Sequence, residues 1–343
     1  MTDETESIGW DAITAAMENV YGKVEPKHWA TPIPWMLGGP DPLHGVSAYE
    51  SERGAPHWHY VGFGLTELWG KETDDPQYSG FGFELTMRVI RSDEEEPPTW
   101  PVSLMQNLAR YVYQSGNIFV PGQHMDSNGP ICLGADTLLT GLAFAADAEL
   151  PRLDTPHGEV EFVQIVGVTA DELGCAQTWN TDSLLELLRK TNPLLLTDLD
   201  RKSLLDDPAL AARIDAARER DGASCSSISN ARFGFEERDG RLVLRMGAKQ
   251  VALVAQLLPG RLLHGRGLAL HGQDADLQLE PGAEFGFEVT DRVLTLRLTD
   301  DQTREIAGAL HPKAGRSEVA GLILEIEKTE LRDAQGNIVE VIG

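Results

Sequence analysis

The sequence predicts a two-domain α+β protein. Three observations carry that expectation. At 343 residues the chain is too long for one typical core. Helical and strand periodicities are mixed up to about residue 220, whereas short strands dominate afterwards. Between the two blocks lies Asp221-Gly222-Ala223-Ser224-Cys225-Ser226-Ser227, small and polar like a linker. The division expected is residues 1–222, a linker over 223–230, and residues 231–343 as a smaller, β-rich α+β domain.

The first block opens on a helix over 8–21, where Trp10, Ile13, Met17 and Val20/Tyr21 recur at helical spacing and Gly22 is placed to end it. The Pro- and Gly-rich run 32–42 excludes regular structure and predicts an ordered loop. Residues 57–63 alternate as a strand with both faces partly covered. Residues 83–89 alternate more clearly, with Phe83, Leu85, Met87 and Val89 against Glu84, Thr86 and Arg88. An acidic, Pro-stopped loop follows over 93–98. Pro101 suits the first turn of a helix over 102–114, with Thr99 as its cap. A strand over 159–168, a helix over 183–190, an apolar strand at Leu194-Leu195-Leu196 and a helix over 208–220 capped by Asp207 complete the block.

In the second block, residues 242–246, 251–257, 261–271, 276–279, 284–290, 293–298 and 319–328 read as strands. One helix, 301–310, is stopped by Pro312.

Composition narrows the function classes. A hydrophobic fraction of 41% and a mean hydropathy of −0.24 fit a globular protein, and no run nears the ~18 apolar residues of a membrane span. The acidic start, Met1-Thr2-Asp3-Glu4-Thr5-Glu6, lacks the basic and apolar regions of a secretory signal, so a cytoplasmic location is expected. A formal charge of −25 argues against nucleic-acid binding, which needs clustered Lys and Arg, and suits a basic partner or simple solubility. Cys132, Cys175 and Cys225 form neither CxxC pairs nor zinc spacing and read as reduced, buried thiols.

Few motifs invite chemistry. His57 and His59, two apart on a strand, leave the same face and would let two imidazoles reach one metal, with His124, His44 or Glu84 as third ligand. Sharing that face with Val61 and Phe63 favours hydrogen-bonded core histidines instead. No GxSxG elbow, GxxxxGK[ST] loop or strand-to-helix GxGxxG is present. Trp29, Trp35, Trp58, Trp69 and Trp100 crowd the first 100 residues, either as core or as anchors of a peptide groove.

Four segments nonetheless form a pattern: Met36-Leu37-Gly38-Gly39-Pro40-Asp41-Pro42-Leu43, His57-Trp58-His59-Tyr60, Ser79-Gly80-Phe81-Gly82-Phe83-Glu84-Leu85-Thr86, and Pro97-Pro98-Thr99-Trp100-Pro101 running on to Leu108-Ala109-Arg110-Tyr111-Val112. Together with Val163-Gln164-Ile165-Val166-Gly167-Val168, Trp179-Asn180 and Gly260-Arg261-Leu262-Leu263-His264-Gly265-Arg266, they resemble the Suppressor of fused (SUFU) family. The likeness covers most of 9–215 and a shorter part of 240–275.

The resemblance implies a non-catalytic, two-domain protein without cofactor. Its N-terminal mixed sheet is layered with helices as an αβα sandwich, and its C-terminal domain is a smaller α+β unit. In animals the family is a negative regulator that restrains Gli-type transcription factors, the domains closing on a peptide that adds as a β-strand. By the same resemblance, Tyr111 and Leu253 are apolar walls of that clamp and Gln123, His124 and Lys249 its polar contacts, and Trp35 is expected as an aromatic contact beside them. Gln123 and Lys249 stand where the family carries acidic residues. The chain also lacks the long charged insertion of animal members, which is similar to bacterial members thought to be immunity proteins against polymorphic toxins. The expected partner is therefore a protein or peptide, a toxin among the candidates, with no nucleic acid and no membrane. A metal-dependent hydrolase using His57 and His59 is the alternative.

Overall fold

A computed structural model describes residues 7–92, 94–238, 241–332 and 336–343. The acidic start at 1–6 and Asp93 of the predicted acidic loop lie outside them. Two compact units emerge: residues 1–176 with 181–207, and residues 177–180 with 208–343. The boundary in the chain thus falls at 207/208, whereas the sequence reading put a linker at 223–230.

In the first unit the elements run α1 (Ile8–Tyr21), β1 (Lys27–Ala30), a 3₁₀ turn (Trp35–Leu37), β2 (Gly45–Ser51), β3 (His57–Phe63), β4 (Tyr78–Ile90), α2 (Trp100–Ser115), β5 (His124–Asp126), β6 (Leu139–Ala146), β7 (Leu153–Thr155), β8 (Gly158–Thr169), α3 (Ala170–Thr178) and α4 (Thr181–Arg189). The sheet order is β1-β2-β3-β4-β8-β6-β5, with β7 added on β8. Only the central β4–β8 pair is parallel.

Strand alternation decides which helix covers which face. Tyr60, Leu85, Met87, Val163 and Ile165 pack with Met105, Leu108 and Val112 of α2. Val61, Phe63 and Phe162 turn the other way, onto Ile13 and Met17 of α1. Further along that face, Val166 and Val168 meet Leu173 of α3 and Leu185 and Leu188 of α4. This is the expected αβα sandwich, and it explains why every residue of β3 is buried.

Gly22 ends α1 at φ 70°, its N–H reaching Glu18 O. Thr99 precedes α2, but its backbone is αR and its side chain makes no cap bond, so Pro101 alone fits the expected start. Leu194-Leu195-Leu196 is not a strand. Leu195 turns at φ 52°, and only Thr197 bridges β4, through Val89. Burial in a turn satisfies that apolar run as well as a sheet would.

The second unit runs α5 (Pro208–Asp221), β9 (Ser227–Ala231), β10 (Phe233–Arg238), β11 (Arg241–Gly247), α6 (Ala248–Leu262), β12 (Leu268–Gly272), β13 (Asp276–Pro281), β14 (Gly286–Thr290), β15 (Val293–Leu298), α7 (Asp300–Ala309), β16 (Gly315–Val319), β17 (Leu322–Glu327), β18 (Thr329–Arg332) and β19 (Ile338–Ile342). These strands build sheets of order β10-β11-β17-β16 and β14-β15-β13-β12-β9, plus a β18-β19 hairpin. Residues 251–257, expected as a strand, belong to α6. Val251, Val254, Leu257, Leu258 and Leu262 are buried at a 3–4 residue period, and that helical stripe outweighs the β-branched composition. The supposed linker is packed: Ala223 N donates to Gly260 O, Ser224 N donates to Trp179 O, and β9 begins at Ser227. Thr299 and Gln302 form a reciprocal capping box on α7.

Candidate functional site

His57 and His59 belong to the core. Both are fully buried on β3. His59 Nε2 lies 3.2 Å from Asp147 Oδ2, and its Nδ1 lies 2.9 Å from the Tyr21 hydroxyl. The carboxylate beside Nε2, close but not aligned for a hydrogen bond, favours the proton on that nitrogen, with Nδ1 accepting from Tyr21. Asp147 in turn accepts both guanidinium nitrogens of Arg88 at 2.7 and 2.9 Å, the Thr86 hydroxyl at 2.7 Å and the Glu149 and Leu150 amides. Burial and the neighbouring Arg88 push the His59 pKa down to about 4, so the ring is neutral. Arg88 already supplies the positive charge that a metal would bring to Asp147. The suggested third ligands are engaged elsewhere: His44 sits edge-on to Trp69 at 4.4 Å, His124 meets Thr181, and Glu84 is tied to backbone. Among the described residues no three His, Cys, Asp or Glu groups are placed to hold a metal ion. The hydrolase alternative therefore has no ligand set to stand on.

Glu84 is a second buried carboxyl group. Its Oε1 accepts the amides of Gly64, Leu65 and Thr66 and the Thr66 hydroxyl, while Oε2 has no hydrogen-bond partner. Desolvation outweighs those four donors and pushes the carboxyl up to about 7. The group braces the turn after β3, whose Gly64 carbonyl also accepts from the Tyr113 hydroxyl.

Within the first unit the expected partner-binding residues fall in two places, and two more belong to the second unit. Tyr111, Gln123 and His124 come together. Tyr111, half-buried on α2, lies 5.6 Å from the Phe119 ring, and its hydroxyl accepts from Asn117. Phe119 stacks at 4.3 Å on Phe144 of β6, whose amide donates to Gln123 O. His124 begins β5, the last strand of the sheet, with Nδ1 3.0 Å from the Thr181 hydroxyl. Burial lowers its pKa to about 4 and keeps it neutral. Trp35 stands apart. Its ring meets Tyr113, 5.8 Å away, and Tyr113 lies two residues from Tyr111 and so on another face of α2. In the second unit, Lys249 is exposed in the first turn of α6, and Leu253, one turn on, packs half-buried against that unit's core.

β5 is the feature that gives this cluster a chemistry. Phe144 N donates to Gln123 O and Ser127 N donates to Thr140 O, so residues 123 and 127 turn their backbone toward β6. By antiparallel alternation the backbone groups of His124 and Asp126 point away from the sheet. An edge of that kind is a template for another strand. The second unit's five-stranded sheet also ends in a strand with one paired side, β9. Phe119, Met125 and Thr181 complete the β5 surroundings and escaped the sequence reading. The apolar run Ile118-Phe119-Val120 carried a signal for the first, but only tertiary contact places Thr181 beside His124. A recess of about 360 Å³ beside Arg53 and Glu149 holds none of the expected residues.

Comparison with known proteins agrees with this architecture. The family model "Suppressor of fused protein (SUFU)" matches residues 39–202. The human Suppressor of fused homolog is 42% identical over 217 residues, 57% of this chain, and the chain spans only 44% of that relative's length. The crystal structure of Drosophila Suppressor of Fused superposes with a TM-score of 0.80 at 24% identity, covering 94% of this chain and 97% of that one, a likeness of fold. The Sufu–Fu complex crystal structure gives a TM-score of 0.58 at 32% identity, covering 61% of this chain and 97% of that chain.

Proposed function

Because the chain belongs to the Suppressor of fused family, we propose that it is a non-catalytic, cytoplasmic protein that holds an extended segment of a partner protein. The observation that carries this reading is the edge of β5, which pairs with no second strand among the described residues and where Asn128 Nδ2 reaches Asp126 O at 3.5 Å, beside the Tyr111–Phe119–Phe144 aromatic run. A guest strand there gains affinity from backbone hydrogen bonds and selectivity from the flanking side chains. The relative crystallised with Fu supports a protein partner for this fold. Tyr111 supplies an apolar contact, with Gln123 and His124 as polar neighbours. Trp35 in the first unit, and Lys249 and Leu253 in the second, are additional contacts. A toxin neutralised by this protein fits the strongly acidic composition, since acidic inhibitors can steer onto basic sites.

The test is affinity purification with the wild-type chain and a Tyr111→Ala/Leu253→Ala variant of matched melting temperature. A reproducible partner that the variant loses is the expected result. If both chains recover the same proteins, or neither recovers any, the reading is wrong.

A further inference from the structure

We propose that the segment received by β5 is an amphipathic strand carrying Lys or Arg on one face and apolar residues on the other. The inference rests on the edge-binding reading above and adds the chemistry of the guest. The two faces of β5 differ. Met125 faces the side on which α2 packs, joining the cluster that Tyr111 and Phe119 also contact. His124 and Asp126, alternating with Met125, face the opposite side. There the N-terminus of α4 closes in. The Thr181 hydroxyl meets His124, and the Asp182 carboxylate lies 3.0 Å from where a Cβ on Gly122 would stand. Carboxylates therefore flank both ends of the strand, Asp182 near residue 122 and Asp126 four residues on, about 13 Å apart along an extended chain. Between them stands His124, uncharged.

Asp126 and Asp182 are exposed and take part in no ion pair among the described residues. From Arg110 to Arg152 the chain contains neither Lys nor Arg, although it holds 29 of them in all. Edge strands are usually protected from pairing by charge, often Lys. Here the charges flanking the edge are the carboxylates of Asp126 and Asp182, which repel acidic strands and admit basic ones. A guest pairing with β5 places alternate side chains on the same two faces, so apolar residues meet the Tyr111 side. Basic residues four apart meet Asp182 and Asp126, with a small neutral one opposite His124.

Three synthetic probes test this against the full chain by fluorescence anisotropy: acetyl-Val-Lys-Val-Ser-Val-Lys-Val-amide, the same peptide with Glu for Lys, and the Lys peptide N-methylated at alternate backbone positions. The Lys peptide should bind roughly ten-fold more tightly than the Glu peptide at low salt, and the difference should shrink to about two-fold or less near 0.5 M salt. Asp126→Asn/Asp182→Asn should abolish the preference without shifting the melting curve. N-methylation should abolish binding. Equal binding of the Lys and Glu peptides, lost on N-methylation and in Tyr111→Ala, overturns the basic-guest inference while leaving the edge reading intact. Binding that ignores N-methylation and Tyr111→Ala contradicts the edge reading itself. Absence of binding by either charged peptide overturns the basic-guest inference, and the purification experiment then judges the edge separately.

Discussion

Removing the Asp147 carboxylate should be among the most damaging single changes in the first unit. Arg88 is fully buried, and Asp147 is its main counter-charge, through two short bonds at 2.7 and 2.9 Å. Gln164 at 2.8 Å and Glu149 at 3.2 Å would remain, but Glu149 is also shared with Arg53. Asp147→Ala also orphans the Thr86 hydroxyl and the Glu149 and Leu150 amides. Breaking a buried pair from one side costs about 3–5 kcal/mol, because an uncompensated charge stays behind. For a unit of about 200 residues that lowers the melting temperature by roughly 6–20 °C. Calorimetry of the full chain should show the fall in one transition only. The companion variant Arg88→Met/Asp147→Leu removes both charges and should recover most of the loss. A drop of less than about 1 kcal/mol in Asp147→Ala, or a double variant no better than the single one, would refute the argument.

Three other expectations are independent of that network. Glu84 has its pKa raised to about 7 from 4.5, so its stabilising contribution is present below pH 4.5 and lost as pH rises through 7. Glu84→Gln, which stays neutral, should gain on wild type by an order of 2–3 kcal/mol between pH 5 and 8 in urea titrations. His124 is depressed to about 4, the opposite case: its contribution is intact above pH 6.5 and disappears as pH falls toward 4. His124→Gln should therefore flatten part of the acid limb of the stability profile. Gly9→Ala would put a Cβ 2.1 Å from the Glu67 carbonyl and force α1 off β3, costing about 3 kcal/mol and exposing Trp10 to a fluorescence quencher. A variant melting within 1 °C of wild type would contradict that contact.

The first unit was legible where its signals were periodic, whereas β1, β2, β5, β6, β7 and α3 were not read. Ile8–Tyr21 and His57–Phe63 were read to the residue, since Ile13 and Met17 repeat at helical spacing and β3 is apolar on both faces. Gly22 gave the stop. The misassigned elements share one cause: apolar runs whose burial is decided by tertiary packing. Val251-Ala252-Leu253-Val254 is equally apolar as strand or helix, and the expected strand 261–271 starts inside the end of α6, which also accommodates Pro259. Leu195 and Leu196 are buried in a turn. Of the site, Tyr111 and His124 were reachable through motif resemblance. Their assembly around Phe119, and the separation of Trp35 from them, depends on how α2 lies on the sheet, which no local pattern encodes. Arg88 and Asp147, 59 positions apart, could not be paired from sequence for the same reason.

The uninterrupted absence of basic residues between Arg110 and Arg152 has a practical side. Trypsin releases the whole of α2's end, β5 and β6 as a single fragment, Tyr111–Arg152, and amine-reactive cross-linkers find no handle on it. Standard mass-spectrometric mapping is therefore blind along this border of the sheet. Carbodiimide coupling through Asp126 and Asp182 would instead tether a lysine-bearing visitor directly and mark where it rests.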